Sequence, residues 1–152
     1  MFIAWLLLLA PLLILRPAAV VLQAQAPAAS GLDFEYFKTK VQPIFLAKRG
    51  GSTRCASCHM HGTPMRLAEL TPGATTWNEE QSRKNFEVWQ RVVAPGRPDA
   101  SRLLLHPLAK SAGGDVFHAG GRHWQSKSDP EWQTLAAWVL GEKVAGATGS
   151  SR

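Results

Sequence analysis

Two cysteines stand in this chain, Cys55 and Cys58, and a histidine, His59, directly follows the second. On a helical turn, residues three apart lie on one side, so the thiols of Cys55-Ala-Ser-Cys58 reach a single target together. No cysteine is left over for a second disulfide or a four-thiolate metal site. The pair itself can close into a disulfide, but so small a ring is strained and readily exchanged. One chemical use accounts for all three residues. Each thiol adds across a vinyl group of one porphyrin, and the imidazole then lies beneath its iron as the proximal ligand. The spacing therefore predicts one covalently attached haem, haem c, held by Cys55, Cys58 and His59.

The N-terminus predicts export. From Phe2 to Leu15 the chain is apolar, a run shorter than the ~20 residues of a membrane span. Arg16 and Pro17 break it, and small residues follow at Ala24-Gln-Ala-Pro-Ala28. This is the layout of a signal peptide, over residues 1–28. No basic residue precedes the apolar run and Pro27 follows the A-x-A site, so an uncleaved anchor is the alternative. Either way the domain is expected in the periplasm or on the outer face of the cytoplasmic membrane. In an oxidising compartment a lone cysteine pair more often forms a disulfide. The histidine set against it argues for haem.

With 152 residues there is room for one core and one domain. The formal charge is +6, but the basic residues are scattered from Lys38 to Arg102 with no run of like charge. Such a surface excludes a nucleic-acid footprint and leaves a weak preference for acidic redox partners, a membrane respiratory complex among them.

Helical periodicity covers most of the chain beyond the leader. Asp33 is placed to cap a helix carrying Phe34, Phe37, Val41, Ile44 and Phe45, with a kink or two abutting helices expected at Pro43 and Gln42 pushed out of the helical region. Gly50-Gly-Ser-Thr53 reads as a turn delivering the cysteine motif to a short helix that begins near Arg54. A second amphipathic helix is predicted over 77–93, its apolar side made of Trp77, Phe86, Trp89, Val92 and Val93. Pro95-Gly-Arg-Pro98 ends it. A short helix through Leu103-Leu-Leu105, capped by Ser101 or Asp99, leads to a Gly-rich loop from Lys110 to Lys127. Ser128-Asp-Pro-Glu131 starts the last helix, which carries Trp132, Leu135, Ala136 and Val139 and stops at Gly141. No strand alternation is visible, so the fold class is all-α: a haem domain over residues 31–143, with residues 144–152 as a disordered tail.

Three segments in this order resemble the planctomycete-type cytochrome-c-like domain, a class I-like mono-haem cytochrome c. They are Val41-Gln-Pro-Ile-Phe45 running into Cys55-Ala-Ser-Cys58-His59; Pro95-Gly-Arg-Pro-Asp-Ala-Ser101-Arg-Leu103; and His118-Ala-Gly-Gly121 followed by Leu135-Ala-Ala-Trp138-Val139. The resemblance spans about residues 33 to 141. It implies helices wrapped around one haem, with the sixth iron ligand between the middle and final helices.

That ligand decides the function, because two protein ligands make an electron carrier and an open position makes a gas or peroxide site. Met60 and His61 adjoin His59 and cannot readily reach the opposite face. His118 leads: it falls where the resembling domains place their ligand, and Gly120 and Gly121 let the backbone pass close to a porphyrin. His106, His123 and Met65 follow. One of Arg97, Arg122 or Trp124 is a candidate partner for a haem propionate. The expected function is one-electron transfer by a bis-histidine haem, not catalysis. The alternative is a peroxidase-like enzyme or gas sensor with an open or labile sixth position. A zinc module using Cys55, Cys58, His59 and His61 is a third class, disfavoured because adjacent Cys58 and His59 are awkward ligands of one tetrahedral ion.

Overall fold

The computed structural model describes residues 31–48 and 54–145. The leader, the turn at Gly50-Gly-Ser-Thr53 and the tail beyond residue 145 lie outside the described residues. The fold is helical: among the described residues the only extended pairing is an isolated bridge between Leu108 and Trp124.

Helix α1 runs over 34–46 in three continuous pieces: Phe34–Tyr36, a π-helical turn Phe37–Val41, and Gln42–Leu46. Asp33 caps it as expected, its carboxylate accepting the Tyr36 N–H at 2.6 Å. Of the two forms expected at Pro43, abutting helical pieces are the one found, meeting at Gln42, but Gln42 is not pushed out of the helical region. Gln42 keeps helical dihedrals (φ −58°, ψ −39°), and its N–H reaches back to the Phe37 carbonyl. The wider π turn just before the proline relieves the clash its ring would make with the preceding turn, and the missing N–H falls in the first turn of the following piece.

Helix α2, Cys55–His59, carries the cysteine motif and starts after an extended Arg54, as the sequence suggests. Helix α3, Glu79–Trp89, continues into a 3₁₀ turn, Gln90–Val92. Its start is two residues later than the hydrophobic pattern implies, because Asn78 and Gln81 form a reciprocal capping box. Trp77 lies just outside, buried, donating its indole N–H to the Ala68 carbonyl at 2.7 Å. Helix α4, Arg102–Leu105, follows a 3₁₀ turn at Pro98–Ala100. Neither Asp99 nor the Ser101 side chain caps α4: Ser101 is fully buried, its hydroxyl donating to the Arg97 carbonyl and accepting the Ala94 N–H. Helix α5, Pro130–Val139, is capped by Asp129, not Ser128, with the Glu131 N–H on its carboxylate at 3.0 Å. Gly141, at φ +90°, ends it.

Helices α1 and α5 meet at Phe37 and Trp138, both wholly buried, with ring centroids 5.2 Å apart. The Trp138 indole donates to the Asp33 carbonyl at 2.9 Å, tying the two ends of the domain together. Phe37 also packs edge-on against Phe45 and Phe86, so one aromatic cluster joins α1, α3 and α5.

A polar network lies inside this core. Gln42 donates to the Ser82 hydroxyl at 2.9 Å, Asn85 donates to the Gln42 amide oxygen at 3.3 Å, and Asn85 accepts the Ala68 N–H at 2.7 Å. All three side chains are buried. Asn85 thereby fixes the segment that leaves the cysteine motif onto α3. Asn85→Ala strands the Ala68 N–H and the Gln42 amide. It is expected to lower stability by about 3 kcal/mol, read as a lower urea midpoint with an unchanged slope.

Candidate functional site

An apolar cavity of about 480 Å³ opens between α2, the end of α3, α4 and the loop before α5. Cys55, Cys58 and His59 line one part of its wall together with Phe45 and Trp89, and His106, His118 and His123 line another. The short helix α2 puts both thiols and the imidazole on this wall, as the spacing of the motif requires. The two cysteines are not joined in a disulfide.

His59 is held on both sides of its Nδ1. The Met65 carbonyl lies 2.8 Å away and the Thr63 hydroxyl oxygen 3.0 Å away. A carbonyl only accepts, so Nδ1 carries the proton and Nε2 keeps the lone pair that binds a metal. Burial pushes the imidazole below its ordinary pKa, against the Met65 hydrogen bond that raises it, so the ring is neutral at pH 7. The Trp89 ring packs edge-on against it at 4.8 Å.

His118 repeats this arrangement. Its Nδ1 donates to the Gly121 carbonyl at 2.6 Å, leaving Nε2 unprotonated, and burial lowers its pKa in the same way. The turn that presents it is built on glycine. The Gly121 N–H returns to the His118 carbonyl at 3.0 Å with Gly121 at φ +84°. A Cβ on Gly120 would stand 3.1 Å from His118 Cε1.

Sequence separates the three later histidines, and the fold gathers them. The His106 ring lies 4.8 Å from that of His118, and the His123 ring lies 5.6 Å from it on another side. His106 Nδ1 is bound to the Asp115 carboxylate at 2.9 Å. Met65 belongs to the His59 side, since its own carbonyl orients that ring. His61 is exposed, with Glu69 at 4.0 Å, and neither it nor Met60 lines the cavity. Among the described residues no group of three or more His, Cys, Asp or Glu side chains is placed to hold a metal ion.

The residues suggested for a propionate are committed elsewhere. The Arg122 guanidinium donates to the carbonyls of His106, Leu108 and Asp115, pinning the loop to α4. The Trp124 indole donates to Glu131 at 3.1 Å, and Arg97 is exposed and does not line the cavity. The cations on the cavity wall are Arg54 and Arg102, neither in an ion pair among the described residues. Their positions offered a signal: Arg54 directly precedes Cys55, and Arg102 stands one helical turn before His106.

The donor set fits a vinyl-bearing porphyrin with carboxylate groups. Two thiols line the wall, and two neutral imidazoles each offer an Nε2 lone pair. Among the described residues the buried Trp89 indole N–H has no partner, so an acceptor on a bound group would satisfy it.

Compared with protein families, curated proteins and solved structures, the chain finds no match in any of the three.

Proposed function

We propose that this chain is an exported mono-haem c-type cytochrome with a class I-like fold, carrying single electrons between redox partners. One observation carries the reading: the C-x-x-C-H helix and His118 line one apolar cavity, and each imidazole is fixed through Nδ1 with Nε2 free. Cys55 and Cys58 would hold the haem through thioethers, with His59 and His118 as its iron ligands. When bound, haem supplies a one-electron Fe(III)/Fe(II) couple. The chain's own part is to hold both imidazoles neutral, to exclude water with Phe45 and Trp89, and to place Arg54 and Arg102 near the carboxylates. Two imidazoles set a lower potential than an imidazole–thioether pair. Acidic partner surfaces and the outer face of the cytoplasmic membrane complete the proposal. No helix among the described residues is long and apolar enough to cross a membrane.

The test is the visible spectrum of protein matured with haem, oxidised and reduced, with and without carbon monoxide. A low-spin spectrum indifferent to carbon monoxide is expected. Ready binding of the gas favours the second reading, a peroxidase-like or gas-sensing site. The observation on that side is the His106–Asp115 pair, which gives the cavity a polar group beside His118.

Gly120→Ala tests the delivery of His118. The added methyl forces the ring to move by a few tenths of an ångström. The haem-loaded variant is expected to show a partial high-spin fraction and measurable carbon monoxide binding, both smaller than on loss of His118 itself.

A further inference from the structure

We infer that the Thr63 hydroxyl is a positioning group that lowers the reduction potential of the site through His59. The inference rests on the haem reading above and adds to it a residue with no contact to the iron. Three atoms form a closed triangle: His59 Nδ1 to Met65 O at 2.8 Å, His59 Nδ1 to Thr63 Oγ1 at 3.0 Å, and Thr63 Oγ1 to Met65 O at 3.1 Å. Only the hydroxyl hydrogen can serve the last contact, because the Met65 carbonyl has no proton to give. The Thr63 oxygen therefore faces the His59 N–H with its lone pairs, and its hydrogen points away.

The sign comes from this orientation. The negative end of the hydroxyl dipole lies against the imidazole, in a half-buried setting where water screens it poorly. It stabilises positive charge on the ring and on a metal bound through Nε2. The oxidised state carries one more positive charge than the reduced state, so the hydroxyl favours oxidation and holds the potential down. The local chain makes the contact durable. The Gly62 N–H bonds to the Cys58 carbonyl at 3.2 Å and the Leu67 N–H to the His59 carbonyl at 2.7 Å, closing the loop that carries Thr63 back onto α2.

The experiment compares full-length haem-loaded wild type with Thr63→Val, which keeps the shape and removes the hydroxyl, and Thr63→Ser, which keeps the hydroxyl. Covalent haem is counted first as the pyridine haemochrome, and the midpoint potential is then read by spectroelectrochemistry. The expected result is full haem content in all three, a rise in Thr63→Val of up to tenfold in the redox equilibrium, about 59 mV for one electron, and a Thr63→Ser value near wild type. Should Thr63→Val fail to load haem, Thr63→Ala makes the same hydroxyl deletion. Equal potentials in all three proteins, or equal shifts in the Val and Ser variants, overturn the inference and leave the haem reading standing. Wild type without covalent haem overturns both.

Discussion

Replacing His118 by alanine is expected to convert the haem-loaded protein from a low-spin form indifferent to carbon monoxide into one that binds the gas stoichiometrically when reduced. The side chain is the central ring of the three on its part of the cavity wall, and its Nδ1 is occupied by the Gly121 carbonyl, so Nε2 is the nitrogen left for iron. Burial keeps the ring neutral, which a ligand must be. Truncation would remove the proposed ligand and leave Cys55, Cys58 and His59 in place, so haem content is expected to stay at the wild-type level. His106 is the natural control. Its Nδ1 is engaged with Asp115, and its backbone N–H continues α4 by bonding to the Arg102 carbonyl at 2.9 Å. The engagement with Asp115 leaves its Nε2 available as well, so the glycine turn that presents His118 is what favours it over His106, and His106→Ala is expected to leave the low-spin spectrum intact. The reverse pattern, with His118→Ala unchanged and His106→Ala open, would move the ligand to His106.

The second large effect belongs to the cysteines. With Cys55 and Cys58 both replaced by alanine, covalent haem is expected to fall to nothing, and any pigment that remains is extracted by acidified ketone. Each single variant keeps one thioether and an intermediate yield. The argument is geometric: α2 is a helix of five residues that holds both thiols on the wall His59 shares, and the chain has no other cysteine to substitute for them. Alanine is a good helix former, so the turn itself survives the change. The core supplies a control for folding. Phe37, Trp138 and the Gln42–Ser82–Asn85 network do not line the cavity, so the variants should retain helical circular dichroism.

Features written in adjacent residues were the legible ones. The motif, the Asp33 cap, the start of α2, the ends of α5 and the helical class all depend on local spacing, and spacing is visible in a sequence. What escaped depends on contacts between distant residues. The apolar pattern passes over the polar Ser82 and Asn85, yet they share a face with Trp89 at helical spacing, and that face turns inward because Gln42 meets them there. Pro43 predicts displacement of Gln42 from the helical region, and the π turn before it keeps Gln42 helical. Arg122 and Trp124 looked available to a cofactor until the loop folded back onto the carbonyls and carboxylate that now hold them. For the sixth ligand, sequence ranked three histidines that the fold then placed side by side, so proximity does not order them.

The most direct measurement is the intact mass of the wild-type chain after expression in a host that matures c-type haem, taken under denaturing conditions. A mass equal to the processed chain plus one haem, retained through denaturation, is the predicted result. A bare chain, or one lighter by the two hydrogens of a Cys55–Cys58 disulfide, would contradict the account at its centre.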